Sequence, residues 1–192
     1  AIICAVTNSN GSVYYALMQT YGDDIDCACM PILAINDGPF LTLVALGASG
    51  LADIPIMSLV AALVPIIAGM ILGNLDNKVT EFFGPVGDAI IPFTGFSLGA
   101  GIDLANVLKG GVSGIVLGLI TIFIGGGFIY LCDHFIGRRP GYAAWAVATT
   151  AGNAVAVPAV IGTADPAWAE FVGTATVQVA ASTVLSALLV PF

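Results

Sequence analysis

The sequence predicts an all-α fold that spans a membrane several times, and three observations carry that prediction. Only 8% of the 192 residues are charged while 58% are hydrophobic, whereas a water-soluble domain carries about a quarter charged residues. Mean hydropathy is +1.03. Several apolar runs reach the roughly 20 residues that a helix needs to cross the hydrocarbon core. The runs are rich in Gly, which occurs 24 times, and lack the alternating segments of about ten residues that mark an outer-membrane barrel. In lipid each run must satisfy its own backbone hydrogen bonds, so helices are the economical solution.

The elements follow in order. The chain opens inside an apolar run, AIICAV, which TNSNGS (Thr7–Ser12) separates from a second apolar half; this is a partial span. Full spans are predicted over Met30–Ala52, Ile54–Gly73, Asp88–Leu108, Gly111–Gly137, Gly141–Ala164 and Ala169–Phe192. With no initiator Met, charged leader or cleavage site, the first segment does not read as a signal peptide. Residues 1–192 read as one transmembrane domain, which starts within an apolar run and ends on VPF. It is expected to be part of a longer chain with preceding helices and a short C-terminal extension.

Charge sets orientation and excludes other classes. Lys78 and the Arg138–Arg139 pair fall in loops on one side of the predicted spans, and Lys109 on the other. The bias of basic residues toward the inside makes the first two loops cytoplasmic. The formal charge of −8 gives no support for nucleic-acid binding. Cys4, Cys27, Cys29 and Cys132 are scattered and lack a structural-zinc spacing, so they read as small buried hydrophobes. His134, the single histidine, stands next to Asp133 beside the basic loop and reads as interfacial rather than as a proton relay. There is no Ser-His-Asp, Cys-His, HExxH or GxxxxGK arrangement. No enzyme and no cofactor is expected.

Function should lie with polar residues inside the spans. AVTNSNGSVYYALM (Ala5–Met18) and AVATTAGNAVAVPAV (Ala146–Val160) each carry a Thr/Asn/Ser/Gly knot between apolar halves. Pro158 removes a backbone donor from the second half. Such a pattern suits a helix broken near the midplane, its freed N–H and C=O groups facing a cavity. Polar glue between packed helices would use the same residue types. An offset of 141 residues superposes the two knots, placing Ala5–Val6 on Ala146–Val147 and Gly11 on Gly152. The same offset sets Asp24 on Asp165, Thr42 on Thr183 and Asp37 on Gln178. An odd number of spans separates the copies, so the second would be inverted, as in many transporters.

Asp37, in AINDGPFLTL, lies inside a predicted span with Gly38 and Pro39 just after it. An ionised carboxylate there needs water, a cation or a partner, which points to a coupling ion or proton unless the span starts as late as Phe40. Gln178 offers donors and an acceptor to a polyol or an ion. Asp103 sits nearer a span end and reads as interfacial, with a cavity role open.

These segments also carry a resemblance. TNSNGSVYYALMQTYGD, INDGPFLTLVALGASGLA, ILGNLDNKVTEFFG and IPFTGFSLGAGIDLANVL resemble the 2-keto-3-deoxygluconate permease family over the whole chain. The match corresponds to the C-terminal three-fifths or so of a ten-helix permease. Two departures stand out: Ser12 replaces the second Gly of a TNGG-like turn, and Asp37 stands where the family carries Glu. The resemblance implies a fold similar to the bile-acid/sodium symporter type, with two inverted five-helix repeats and two crossing broken helices. The first repeat would be incomplete over 1–53 and the second would run from about 54 to 192.

It further implies proton-coupled uptake of 2-keto-3-deoxygluconate, a sugar acid, across a bacterial inner membrane. Carried over residue by residue, the substrate site would comprise Thr7, Asn8, Ser9, Asn10 and Gly11 with Thr149, Thr150, Gly152 and Asn153, and the coupling site Asp37 with Gln178. The expected mechanism is alternating access, with broken-helix N–H dipoles on the carboxylate and Asn/Thr side chains on the hydroxyls. Protonation of Asp37 would remove its desolvation cost. Sodium coupling to another organic anion, a channel, or a structural membrane subunit are the alternatives.

Overall fold

The computed structural model describes residues 1–36, 38–83, 85, 86, 93, 96 and 104–192. The described residues form α1 (Ile2–Val6), α2 (Gly11–Tyr21), α3 (Asp24–Ala28), α4 (Met30–Asn36), α5 (Phe40–Ala48) and α6 (Ile56–Leu75). After the stretch that is not described come α7 (Leu104–Leu119), a π-helical turn at Ile120–Gly125, and α8 (Gly126–Phe135). The chain continues through α9 (Tyr142–Val147), a 3-10 turn at Gly152–Ala156, α10 (Val157–Ala164), a second 3-10 turn at Pro166–Phe171, and α11 (Val172–Leu189). Among the described residues, four helical stretches are long and apolar enough to cross a membrane: Ile56–Leu75, Gly111–Phe135, Tyr142–Ala164 and Pro166–Leu189.

The spans expected over Ile54–Gly73, Gly111–Gly137, Gly141–Ala164 and Ala169–Phe192 thus have counterparts. Gly111 adopts φ 54 and ψ −149, a conformation open to glycine. It breaks α7 where the fourth expected span begins. The expected span Met30–Ala52 is not a continuous helix; it divides into α4 and α5. Gly38 has φ 116, and Pro39 has no N–H to continue a helical ladder. Most of the expected span Asp88–Leu108 lies outside the described residues, as do Asp37 and Asp103.

Packing relies on small residues. Gly114 and Gly118, one helical turn apart, face α11: a Cβ at Gly114 would lie 2.5 Å from the Ala181 Cβ, and one at Gly118 would lie 2.8 Å from a Leu185 methyl. Lipid is as apolar as the helix surfaces, so van der Waals fit between close backbones drives this pairing. Gly126 opens the same kind of approach for Ala148. One buried cluster joins Cys4 and Ala5 of the first segment to Leu43, Val157, Ile161 and Val179. A second joins Tyr14 and Met18 of α2 to Ala146 of α9. Large apolar side chains such as Ile56, Met57, Phe123 and Phe128 point outward, as a lipid-facing surface requires.

The helix ends are tied by polar groups. Asp23 caps α3 in a capping box, its side chain accepting from the Ile25 and Asp26 N–H groups while Asp26 accepts from the Asp23 N–H. The Arg139 guanidinium donates to Asp23 at 2.7 Å and to Asp26 at 2.8 Å. At the other end of the helices, the Asp53 N–H donates to Asp165 (3.0 Å) and the Trp168 indole donates to the Leu51 carbonyl (3.1 Å). The Asp23 carboxyl is held below the usual carboxylate range, first by the Asp26 N–H and next by Arg139. A depressed carboxyl stabilises the fold above its unfolded value of about 3.9, and that contribution disappears as pH falls through the lowered folded value. The Arg139 tie therefore persists across neutral pH.

The glycine contact gives a direct test. Gly114→Leu overpacks the α7–α11 contact and is expected to cost about 1–3 kcal/mol, seen as a lower melting temperature of the full-length protein in detergent. Gly173→Ala, where an added Cβ meets nothing within 4 Å, should leave the melting temperature at or above that of the unaltered protein.

Candidate functional site

Two helices are interrupted at the places the polar knots mark. The first break separates α1 from α2, and side chains replace the missing backbone partners. The Thr7 hydroxyl donates to the Ile3 carbonyl at 2.6 Å and the Asn8 amide donates to the Cys4 carbonyl at 3.0 Å. The Cys4 carbonyl lies at a helix end with no further turn to receive it, while the Ile3 carbonyl also accepts from the Thr7 N–H at 3.1 Å. Asn10 then starts α2 as its N-cap, accepting from the Val13 N–H at 3.1 Å. The second break separates α9 from the 3-10 turn at Gly152. There the Thr149 N–H reaches back to the Val147 carbonyl (2.7 Å), and the Thr150 N–H donates to the Ser186 hydroxyl of α11 (2.9 Å).

The two breaks lie against each other. The Ala151 N–H donates to the Asn8 carbonyl at 2.7 Å. The Asn10 N–H donates to the Thr149 hydroxyl at 2.9 Å, and the Thr150 hydroxyl donates to the Ala5 carbonyl at 3.3 Å. Helix N-termini (Gly11 and Gly152) and C-termini (Val6 and Val147) meet here.

A third interruption, between α4 and α5, joins them. The Asn8 side chain donates to the Thr42 hydroxyl (3.0 Å), while its carbonyl oxygen accepts from the Gly38 N–H (2.9 Å). Asn36 donates to the Ser9 hydroxyl at 2.7 Å, and the Thr7 and Thr42 hydroxyls are 2.6 Å apart. Asp37 is outside the described residues, but both of its chain neighbours are bonded to the first break. On the second side, the Thr150 and Ser182 hydroxyls are 2.8 Å apart and the Thr183 hydroxyl donates to the Ala151 carbonyl at 3.1 Å.

The expected substrate residues therefore come together, and burial sorts them. Asn8, Ser9, Thr149 and Thr150 are buried, their polar groups engaged by the protein. Thr7, Asn10, Gly11, Gly152 and Asn153 are half-exposed. Gln178 stands apart: it is half-buried on α11 and its amide donates to the Ser113 hydroxyl at 3.2 Å. It lines an apolar cavity of about 540 Å³ with Ile2, Cys4, Leu46 and Trp168. Among the described residues no group of three His, Cys, Asp or Glu side chains is arranged to hold a metal ion. The chemistry on offer is that of neutral amides, hydroxyls and helix-end dipoles, suited to a hydroxylated solute or an anion.

Five participants were not among the expected site residues. Thr42 and Thr183 had been paired only by the 141-residue offset; each is buried and bonds the break of its own half. Ser182 and Ser186, one turn apart on α11, form a polar pair visible as the spacing in ASTVLSALL. Asn36 adjoins Asp37 and carries no pattern of its own.

The role of Asn8 as a structural hub can be measured. Asn8→Ala leaves the Gly38 N–H and the Cys4 carbonyl without these partners and should cost about 2–3 kcal/mol. Asn10→Ala, which removes an N-cap, should cost about 1 kcal/mol. Thermal unfolding of the two full-length variants should rank them in that order.

A sequence model of a family described as 2-keto-3-deoxygluconate permease matches residues 1–192. The chain is 50% identical over 191 residues to 2-keto-3-deoxygluconate permease 1 of Salmonella typhimurium, an alignment covering 100% of the chain and 60% of that protein. It is 39% identical over 191 residues to 2-keto-3-deoxygluconate permease of Xanthomonas euvesicatoria, again 100% of the chain and 60% of the relative. It is also 37% identical to 2-keto-3-deoxygluconate permease of Bacillus subtilis, over 100% of the chain and 58% of the relative. The chain thus spans about three-fifths of the length of these relatives. No solved structure matches it significantly.

Proposed function

Because the chain belongs to the 2-keto-3-deoxygluconate permease family, we propose that it is the larger part of a secondary transporter that imports 2-keto-3-deoxygluconate by proton symport. The family is one of permeases rather than enzymes, and its apolar helices make this an integral membrane protein. The observation that carries the reading is the meeting of two interrupted helices through the Ala151–Asn8 and Asn10–Thr149 hydrogen bonds. Two helix N-termini at one place favour an anionic group. The half-exposed Thr7, Asn10 and Asn153 beside them suit sugar hydroxyls.

In this reading the solute contacts Thr7, Asn10, Gly11, Gly152 and Asn153, while Asn8, Ser9, Thr149 and Thr150 hold the breaks in shape. Asp37 is the proton carrier. Its neighbours Asn36 and Gly38 are bonded to Ser9 and Asn8, so a change of charge at Asp37 would be felt at the first break. Gln178 takes part only if α11 turns toward the breaks during the cycle. Residues 1–192 are one transmembrane domain made of an incomplete first repeat, 1–53, and an inverted second repeat from about 54. The matched roles of Thr42 and Thr183 support that division. The membrane is the bacterial inner membrane, with the Lys78 and Arg138–Arg139 loops cytoplasmic by their charge, and access to the site alternates between its two faces.

Uptake of labelled 2-keto-3-deoxygluconate into vesicles carrying the full-length protein tests this. A proton uncoupler should abolish accumulation and removal of sodium should leave it intact; the reverse pattern would replace the proton with sodium. Asp37→Asn should lose accumulation against a gradient yet keep exchange of internal for external solute. Accumulation retained by that variant would take Asp37 out of the coupling role.

A further inference from the structure

Arg139 lies outside the breaks, yet its contacts join the two helices that carry them. It donates to Asp23 and to Asp26 at 2.7 and 2.8 Å, with 26% of its own side chain exposed and 7% of that of Asp26. Asp23 directly follows Gly22, the C-cap of α2. Arg139 stands just ahead of α9, whose N-cap is Gly141 at φ 94. From the clasp, α2 and α9 run back to the first and second breaks, packed together through Tyr14, Met18 and Ala146. The Tyr14 hydroxyl donates to the Asp26 carbonyl at 2.8 Å, which fastens the clasp to that packing. α9 is only six residues long, about 9 Å at the rise of an α-helix. A shift of its clasped end is therefore delivered almost whole to Thr149 and Thr150.

We propose that Arg139 is a positioning residue for the solute site: by clasping Asp23 and Asp26 it fixes the two interrupted helices in register, so that the half-sites at Asn10–Gly11 and Gly152–Asn153 move as one unit. The proposal rests on the transport reading above. It assigns no contact between Arg139 and the solute, because the guanidinium is engaged by two carboxylates on its own side of the fold. A shared ion pair of this kind acts through geometry. Loss of the charge leaves Asp26 nearly buried without its cation, and α9 is then free to slide along α2.

The test uses the full-length protein with nitroxide labels at Ser12 and Ala156, both exposed and each just beyond one break, in a background where other reactive cysteines are replaced. The unaltered clasp should give one narrow distance distribution. Arg139→Gln should broaden it and raise the KM for 2-keto-3-deoxygluconate about three- to tenfold, the range that coupling through packed elements supplies. Arg139→Lys keeps a cation between Asp23 and Asp26 and leaves the cap of α3 untouched, so it should restore both the narrow distribution and the KM. A distribution unchanged in Arg139→Gln would overturn the proposal. So would a raised KM in Arg139→Lys while distances stay fixed, which would put Arg139 on the solute. Protein without any uptake of the sugar acid would sink the transport reading, and the distance measurement would still decide the role of the clasp.

Discussion

The structure depends on how a chain in a bilayer satisfies backbone groups where a helix stops. Each break frees carbonyls on one side and N–H groups on the other, and hydrocarbon offers them no partner. The solution here is mutual. The second break donates its Ala151 N–H to the Asn8 carbonyl, and the first donates its Asn10 N–H to the Thr149 hydroxyl. Apart from each other, the Ala151 and Asn10 N–H groups would lose these partners, which favours the meeting of the two helices. Everything nearby serves that meeting: Asn8 spends both ends of its carboxamide on it, and Thr42, Thr183, Ser182 and Ser186 bring hydroxyls from the flanking helices.

The rest of the fold lets those groups arrive. Glycines at 114, 118 and 126 remove side chains where α11 and the second break press closest, and so bring the hydroxyls of α11 within hydrogen-bond reach of Thr150 and Ala151. Among the described residues, charged groups tie the helix ends, where Arg139 meets Asp23 and Asp26 and where Asp165 meets the Asp53 N–H. The division is physically sensible: neutral hydroxyls and amides carry the buried seam, where unpaired ions would be costly, and ions tie the helix ends near water.

Much of this was legible in the residues. The composition pointed to membrane helices, and the TNSNGS and TTAGN knots marked both breaks, their paired placement favouring broken helices over the polar glue that uses the same residue types. The 141-residue offset also linked Thr42 with Thr183, whose hydroxyls take corresponding parts. Other features were hidden for identifiable reasons. Hydropathy averaged over Met30–Ala52 masks the interruption that Gly38 and Pro39 impose, since both sit among apolar neighbours. Burial within the knots follows from three-dimensional packing, so nothing in TNSNGS separates the buried Asn8 from the half-exposed Asn10. The Arg139 clasp joins positions 116 residues apart and left no local pattern. Gln178 was linked to Asp37 by the offset, and its hydrogen bond to Ser113 follows instead from the face of α11 it occupies.

The central claim is that the two abutting breaks bind the solute. It is tested most directly by solute protection of single cysteines placed at Asn10, Asn153 and Ser113 in the full-length protein, each reacted with a maleimide. The account predicts that 2-keto-3-deoxygluconate slows labelling at Asn10→Cys and Asn153→Cys together, that a neutral sugar does not, and that Ser113→Cys reacts at the same rate throughout. Protection at Ser113→Cys with none at either break would contradict it.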